Sequence, residues 1–247
     1  MPISVDRFIA YLLIIVSGLI GGGALLLFML FLYFGPLRLM GLNLSSTNAL
    51  LLDTVLCFLF FIQHSVMIRN SFRQKLIRYI KMEYEPAFFS IIAGLFLLTL
   101  LFLWQDVSQT LFVSQGTFRL LLRTIFLLSL GIFAWGLWSL GEFDPFGIIP
   151  ILNDIRGKEK TVSQFIIKGP YRFVRHPLYT AMIMMFWSYP ILTLDRFIFN
   201  CLFTAYMVVG TLLEERDLVR TFGADYLAYQ EKVPMLVPYR NYFYTGK

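Results

Sequence analysis

Six long apolar segments dominate this sequence and limit the folds that it can adopt. They cover residues 9–34, 49–67, 87–103, 121–140, 178–194 and 197–213. A helix needs about 20 apolar residues to cross a bilayer, and backbone groups inside lipid must be satisfied within helices or a closed barrel. The ten-residue alternation of an outer-membrane barrel does not occur in this sequence. We therefore predict an all-α fold, a polytopic integral membrane helical bundle with about six transmembrane helices.

Composition and charge support this class. Hydrophobic residues make up 58% of the 247 residues and charged residues 15%, whereas soluble domains are roughly 45–50% apolar. The net charge of +6 would suit nucleic acid, but the basic residues flank the apolar segments, so we expect no nucleic-acid partner. Cys57 and Cys201 are isolated within apolar segments, which predicts neither a disulfide framework nor a metal site.

The connections between the segments alternate in basic charge. Those after the first, third and fifth segments offer Arg38, Arg119 and Arg196. The other connections and the C-terminal tail are rich in basic residues, namely Arg69, Arg73, Lys75, Arg78, Lys81, Arg156, Lys158, Lys160, Lys168, Arg172, Arg175, Arg216, Arg220, Lys232, Arg240 and Lys247. Because cytoplasmic loops carry the excess of lysine and arginine, we predict a six-helix topology with both termini in the cytoplasm. The expected location is a bacterial inner (cell) membrane.

The spacing of the segments predicts a single membrane domain over residues 1–247. Residues 1–140 would form an N-terminal four-helix part, and residues 141–247 would hold the last two helices as a hairpin with a C-terminal segment. Residues 141–177 and 214–247 are too long for simple turns and are predicted to form a cytoplasmic cap. Gly18 and Gly22 in the first segment predict close helix packing. Asp53, in the second segment, is assigned a structural role.

A polar, basic stretch at residues 169–179 stands directly before the fifth segment. Pro177 suits the first turn of a helix, where free N–H groups and partial positive charge attract anions. Arg172, Arg175 and His176 would add hydrogen-bond donors. Glu214 and Glu215 supply the opposite charge at the end of the sixth segment.

A site with both signs of charge suits a zwitterionic ligand. A topology signal with ordinary salt bridges explains the same residues, and the chemistry of the residues leaves both readings open. His64, at the inner end of the second segment, is by itself typical of a hydrogen-bonded interfacial residue. It shares the predicted cytoplasmic face with His176, which makes it a candidate substrate contact.

Several motifs occur in a fixed order. The core is Arg175-His176-Pro177-Leu178-Tyr179, followed by two apolar segments and Glu214-Glu215-Arg216-Asp217-Leu218. The ordered set of motifs ends with Tyr226, Tyr229 and the run Val-Pro-Met-Leu-Val-Pro at 233–238. This combination, over about residues 169–238, resembles the isoprenylcysteine carboxyl methyltransferase and phospholipid methyltransferase superfamily.

Shorter features are similar to methanethiol S-methyltransferases and NnrU-like membrane proteins. They are the run Gln-His-Ser-Val-Met-Ile-Arg at 63–69, the run Phe-Asp-Pro-Phe-Gly at 143–147, and Phe186-Trp187. Two features depart from the pattern of the superfamily. Ala181 stands where the superfamily usually has glycine, and the pair Asp195-Arg196 has no counterpart, which puts the substrate in doubt.

The resemblance implies an enzyme that binds S-adenosyl-L-methionine on the cytoplasmic side and methylates a small or lipophilic acceptor, most simply a thiol such as methanethiol, which would become dimethyl sulfide. It implies catalytic roles for Arg175, His176 and Glu215. Cofactor contacts would come from Tyr171, His176, Pro177, Leu178, Tyr179, Glu214, Glu215, Tyr226 and Tyr229, and substrate contacts from His64, Arg172 and Trp187. Membrane lipids are expected partners, and an oligomer is compatible with the sequence.

Three alternatives stay open at this point. In the first alternative, the methyl acceptor is a prenylcysteine carboxylate or a lipid amine. The second is an NADPH-dependent reductase on a similar helical scaffold, although the chain contains no Gly-x-Gly-x-x-Gly motif. The third is a non-enzymatic NnrU-like membrane protein.

Overall fold

The computed structural model describes residues 5–141, 144–158, 165 and 167–239. Two short strands, β1 (Thr110–Val113) and β2 (Ile191–Thr193), pair in antiparallel fashion. The helices in chain order are α1 (Val5–Phe34), α2 (Ser46–Ile68), α3 (Asn70–Leu76), α4 (Glu85–Leu103), α5 (Gly116–Ser139), α6 (Ile148–Ile155), α7 (Pro177–Trp187), α8 (Leu194–Phe222) and α9 (Ala224–Lys232).

Five of these elements are long and apolar enough to cross a membrane. They are α1, α2, α5, α8 and the stretch Met82–Leu103, which joins a short 3₁₀ turn to α4. Their lengths run from 22 to 30 residues, and about 20 are needed. The predicted class, a polytopic helical membrane protein, is therefore confirmed.

The fifth predicted segment differs from the expectation. Within residues 178–194, only the part belonging to α7 is helical, and the chain then turns and enters β2. Pro190 lacks the N–H group that would continue a helix, and the next residues pair with β1 instead. The 11 residues of α7 span about 16 Å at 1.5 Å per residue, less than the roughly 30 Å of a hydrocarbon core. The prediction that this segment is helical throughout was wrong.

The sixth predicted segment is also different, because α8 continues to Phe222. The charged residues after position 213 are good helix formers, and the helix ends only at Gly223, where the backbone turns to a positive φ of 55°. Glu214 and Glu215 therefore lie inside α8, and not at its end as expected. A helical frame fixes the directions of their neighbouring side chains about 100° apart around the axis.

Backbone contacts divide the chain into two compact units, one of Met1–Ser108 with Asp144–Val162 and one of Gln109–Phe143 with Ser163–Lys247. The first holds α1 to α4 and α6, and the second holds the strands, α5 and α7 to α9. A single membrane domain remains a prediction. The membrane orientation also remains a prediction. Three of the basic residues that support it, Lys160, Arg240 and Lys247, lie outside the described part of the chain, as do Glu142 and Phe143.

Close helix packing in the first unit occurs at Gly21, and not at Gly18 or Gly22, where it was predicted. A Cβ on Gly18 would meet nothing within 4 Å, whereas one on Gly94 of α4 would lie 2.9 Å from the Ile20 carbonyl oxygen and 3.1 Å from the Gly21 Cα. The reason is a π-helical turn over Gly18–Gly22, which changes the residues that face the neighbouring helix. Asp53 accepts a hydrogen bond from the Gln105 backbone at 3.0 Å, in line with its predicted structural role.

Gly147 offers a stability test in the first unit. Gly147 and Gly141 both have a positive φ, 68° and 67°. A Cβ on Gly147 would lie 2.7 Å from the Pro86 carbonyl carbon and 2.8 Å from the Ala87 Cα, whereas one on Gly141 would meet nothing within 4 Å. Left-handed backbone costs alanine about 1–2 kcal/mol at either site, and overpacking adds about 1–3 kcal/mol.

We therefore expect Gly147→Ala to lower the free energy of unfolding by clearly more than the matched control Gly141→Ala. Denaturation of both purified variants in the same detergent measures the difference. Equal losses would show that the contact with Pro86 and Ala87 relaxes freely.

In the second unit, aromatic and small residues bring α5, α7 and α8 together. Phe186 of α7 lies 5.7 Å from Phe199 and 5.6 Å from Phe203 of α8 between ring centroids. A Cβ on Gly136 of α5 would lie 2.7 Å from the Leu178 side chain. The first turn of α7 therefore packs against α5, and its last turn packs against α8.

The unusual pair Asp195-Arg196 lies in the first turn of α8 and is buried. The Arg196 guanidinium lies 5.0 Å from the centre of the Tyr189 ring and 5.3 Å from that of Phe199. Along the helix axis it is about 28 Å from Glu215 at 1.5 Å per residue. This departure from the family pattern is therefore remote from the acidic pair.

Candidate active site

The site is built on the first turn of α7. His176 is the residue just before the helix, with φ −125° and ψ 65°, and Pro177 is its first residue, as predicted. Proline is suited to this position because its fixed φ matches a helix and its missing N–H would be unpaired there anyway. The backbone thereby turns sharply at His176 and directs the Arg175 and His176 side chains toward α8.

Glu215 is the centre of the charge cluster. Its Oε1 accepts hydrogen bonds from Arg175 Nε at 2.6 Å and from His176 Nε2 at 3.1 Å, and its Oε2 accepts one from Gln230 Nε2 at 2.9 Å. The side chains of Arg175, His176 and Glu215 are only 10%, 5% and 11% exposed. Hydrogen bonds between charged partners are short and strong in such surroundings. Of the two acidic residues, Glu215 is the one that the structure pairs with Arg175.

The C-terminal segment is hydrogen-bonded to the same turn. The backbone N–H groups of Arg175 and His176 donate to the carbonyls of Pro234 and Met235 at 2.9 and 3.1 Å. Arg175 Nη1 donates to the carbonyls of Gln230 at 3.1 Å and Val233 at 2.5 Å. These are carbonyls at the end of α9 that have no partner within the helix. Arg175 therefore ties α8 and the end of α9 to the start of α7.

Thr180 and Gln230 belong to this network and were missed in the sequence. Thr180 Oγ1 donates to the Leu236 carbonyl at 2.8 Å, and Gln230 contacts Glu215 as described above. Neither residue carries a motif, a charge or a special spacing. Their importance follows from hydrogen bonds between segments distant in the chain, and no local pattern reports those.

The His176 imidazole lies between the two glutamates. A carboxylate only accepts hydrogen bonds, so the contact with Glu215 places a hydrogen on Nε2. The other nitrogen, Nδ1, is 3.8 Å from Oε2 of Glu214. The Tyr179 ring stacks on the imidazole with 5.6 Å between centroids and an interplanar angle of 20°. A neutral imidazole with its hydrogen on Nε2 has its lone pair on Nδ1.

The two glutamates differ in their accessibility. The side chain of Glu214 is 44% exposed, against 11% for Glu215. Glu215 has three protein donors on its two oxygens. The carboxylate of Glu214 is therefore open to solvent, whereas that of Glu215 is occupied by protein donors.

Tyr226 and Tyr229 of α9 are buried, with 2% and 3% of their surface exposed. The Phe165 ring packs against them at 5.7 and 5.5 Å between centroids, and the Tyr229 hydroxyl donates to the Tyr171 carbonyl at 2.5 Å. Burial raises the pKa of both phenols and that of Tyr171, so all three remain protonated at neutral pH. The two tyrosine rings also contact each other, with 5.7 Å between centroids. Their contact with a cofactor remains a prediction.

The remaining predicted residues are spread over the chain. Leu178 packs against α5, and Arg172 is exposed at the end of the 3₁₀ turn Gly169–Arg172. Trp187 is at the far end of α7, about 15 Å along the axis from Pro177, and its Nε1 donates to Thr204 at 3.0 Å. His64 lies in the first unit, with ring centroids 5.4 Å from Phe60 and 5.1 Å from Phe89. Substrate contacts for these last three residues remain predictions.

Residues 118–225 match the family model described as phospholipid methyltransferase. This stretch runs from α5 to the start of α9 and includes Arg175, His176, Glu214 and Glu215. No solved structure gives a significant match.

Curated relatives match over most of the chain. "Methanethiol S-methyltransferase 1" of Bradyrhizobium diazoefficiens is 32% identical over 81% of this chain and 71% of its own length. "Methanethiol S-methyltransferase" of Pseudomonas deceptionensis is 36% identical over 80% and 76%, and that of Mycobacterium tuberculosis is 30% identical over 78% and 79%. Together with the buried cluster around Glu215, these matches show that the chain is an enzyme of the membrane methyltransferase family that includes the methanethiol S-methyltransferases.

Proposed function

We propose that this protein transfers a methyl group from S-adenosyl-L-methionine to a small thiol such as methanethiol, which becomes dimethyl sulfide. The observation that carries the proposal is the His176 imidazole, held by Glu215 on one nitrogen and flanked by Glu214 on the other. The relatives are named for the same acceptor. A thiol must lose its proton before it can attack a methyl group, and this imidazole is placed to take that proton.

The residues present fit the proposed cofactor. Its amino acid part carries an ammonium and a carboxylate, and its sulfonium is a cation. Glu214 would hold the ammonium, with Tyr171 and Tyr179 nearby, because its carboxylate is 44% exposed whereas Glu215 is occupied by protein donors. Tyr226 and Tyr229 would contact the adenosine, as would Pro177 and Leu178 at the start of α7. When bound, the cofactor supplies an electrophilic methyl carbon.

His176 would act on the acceptor. Its Nδ1 would accept the proton of the thiol S–H bond, and the electron pair left on the sulfur would be free to attack the electrophilic methyl carbon that the bound cofactor would supply. Glu215 and Glu214 lie on either side of the imidazole that would receive the proton. Arg175 and Glu215, which the resemblance made catalytic, act in this proposal as positioning residues, because their contacts are with each other, with His176 and with the end of α9. Alignment alone is worth roughly 7–11 kcal/mol in such reactions.

We infer that the site faces the cytoplasm of a bacterial cell, at the inner membrane. The support is the basic connections before α7 and after α8, which are typical of cytoplasmic loops. A soluble cofactor reaches such a site from the water phase, and an apolar thiol reaches it from the bilayer. We also infer that the two compact units act as one membrane domain over residues 1–247.

Glu214→Gln is the variant that tests the cofactor site. We expect wild-type protein in detergent to bind S-adenosyl-L-methionine in a calorimetric titration and not to bind NADPH. The substitution removes the charge of one hydrogen bond to an ammonium, which is worth about 1.5–3 kcal/mol, so affinity should fall roughly 10- to 150-fold. Asp217→Asn is the matched control, since Asp217 is an exposed carboxylate in the next turn whose partner is Arg220.

The acceptor is identified by labelled-methyl transfer with three candidates. We expect transfer to methanethiol and not to a prenylcysteine analogue or phosphatidylethanolamine. Transfer to either of the last two in place of methanethiol would replace the thiol proposal. Wild-type protein that binds no S-adenosyl-L-methionine would refute the cofactor assignment.

A further inference from the structure

Gln230 contacts the catalytic cluster twice, through its side chain and through its backbone. The side-chain amide donates to Oε2 of Glu215 at 2.9 Å, and the backbone carbonyl accepts a hydrogen bond from Arg175 Nη1 at 3.1 Å. In the described part of the chain, it is the α9 residue whose side chain is hydrogen-bonded to Glu215. The resemblance to known families assigns it no role.

The side-chain contact opposes a competing arrangement of Glu215. Arginine and carboxylate groups favour a two-pronged pairing in which both oxygens face the guanidinium. With Nε on Oε1, the second prong would be Nη2 of Arg175 facing Oε2. In the structure, Nε donates to Oε1, Nη1 donates to the carbonyls of Gln230 and Val233 on the other edge of the guanidinium, and Oε2 is held by the Gln230 amide. The Gln230 amide therefore opposes the two-pronged pairing by occupying Oε2.

Loss of the Gln230 contact with Oε2 would affect the orientation of His176. The terminal torsion of a glutamate is broad, so a carboxylate without a partner on Oε2 can rotate toward Arg175. Such a rotation would withdraw Oε1 from His176 Nε2, which it now contacts at 3.1 Å. The imidazole would then lose the contact that places the hydrogen on Nε2 and the lone pair on Nδ1.

The position of Gln230 is itself well fixed. Its neighbour Tyr229 is 3% exposed and its hydroxyl donates to the Tyr171 carbonyl. Tyr226, one turn earlier, is 2% exposed. A side chain on such a rigid element can orient a partner more accurately than one on a loop.

We propose that Gln230 is a positioning residue for methyl transfer, which keeps Glu215 directed at His176. This inference rests on the proposed function, in which His176 takes the proton of the acceptor. Gln230 acts through Glu215 and does not touch the reacting atoms. Its removal should therefore slow the chemical step and leave cofactor binding nearly unchanged.

Three substitutions separate this role from helix packing. Glutamine, lysine, methionine and glutamate have nearly equal helix propensities. Methionine has a similar length and no donor, lysine keeps a donor, and glutamate offers only acceptors and a like charge. Leu227→Met, on an exposed residue of the same helix, is the matched control.

We expect kcat to fall about 3- to 30-fold in Gln230→Met and further in Gln230→Glu, while Gln230→Lys stays within about threefold of wild type. The Kd for S-adenosyl-L-methionine and the thermal midpoint should change little in Gln230→Met and Gln230→Lys. Equal rates in all three variants, or rates that fall in step with the thermal midpoint, would overturn the inference.

A second measurement does not depend on activity. The chain has only two histidines, so nitrogen-15 labelling of histidine gives the NMR signals of two imidazole rings. The signals that disappear in His64→Gln belong to His64, and the others to His176. We expect the Nε2 signal of His176 to move in Gln230→Met and to stay in place in Leu227→Met. An unchanged signal in Gln230→Met refutes the positioning role, even if wild-type protein transfers no methyl group and the proposed function fails separately.

Discussion

Replacing His176 with alanine is expected to lower the rate of methyl transfer to methanethiol by about 10²- to 10⁴-fold, the usual contribution of a positioned acid or base. The reason is that the thiol loses the group that takes its proton. Affinity for S-adenosyl-L-methionine should change much less, since Glu214 remains in place. Single-turnover rates with labelled cofactor, together with a calorimetric Kd, separate the two effects.

The pH dependence of the methyl-transfer rate is an internal control for this prediction. Without a base in the protein, the reaction depends on thiolate already present in solution, and that fraction rises tenfold per pH unit below the pKa of the thiol. The ratio of variant to wild-type rate should therefore rise with pH. A ratio that stays constant, or a loss of rate matched by an equal loss of cofactor affinity, would contradict a proton-accepting role for His176.

Replacing Glu215 with alanine is expected to have the largest effect on stability. The side chains of Glu215, Arg175 and His176 are nearly buried, and removal of one member of a buried ion pair leaves an uncompensated charge, which costs roughly 3–5 kcal/mol. The end of α9 should loosen as well, because Arg175 would lose the partner that directs it. Unfolding by denaturant in a fixed detergent measures the change in free energy.

Glu214→Ala is the matched comparison for Glu215→Ala. The two residues are adjacent on α8, but the Glu214 side chain is 44% exposed and 3.8 Å from His176. Exposed ion pairs contribute about 0–1 kcal/mol, so this variant should unfold nearly as wild type does. Similar losses in both variants would show that burial does not distinguish the two glutamates. The expected pattern assigns stability to Glu215 and ligand binding to Glu214.

The transmembrane character of the fold could be predicted because hydropathy is a local property. Five apolar segments became long helices at nearly the predicted places. The ends of the last two segments could not be predicted from hydropathy, since β2 forms only when residues distant in the chain pair with it, and α8 continues beyond its apolar part. The close approach at Gly21 and Gly94 was missed for a similar reason, because a π-helical turn altered the facing residues.

The candidate site was partly predictable for a different reason. Arg175, His176 and Glu215 could be recognised because charged residues are rare in this chain and stand at the ends of apolar segments. The structure brings their side chains into hydrogen-bonding contact, and their roles in catalysis stay a prediction. Gln230 and Thr180 escaped notice because uncharged polar residues on an exposed-looking segment have no distinctive pattern.

The sequence by itself determined that the chain is a helical membrane protein, that basic and acidic residues flank its last two apolar segments, and that it resembles a methyltransferase superfamily. Only the tertiary structure decided which glutamate is buried. Glu214 and Glu215 are equivalent by charge and motif, but the helical frame of α8 directs one toward Arg175, His176 and Gln230 and leaves the other exposed. Hydropathy and motifs are local, whereas the buried charge of Glu215 and its partners come from three separate segments.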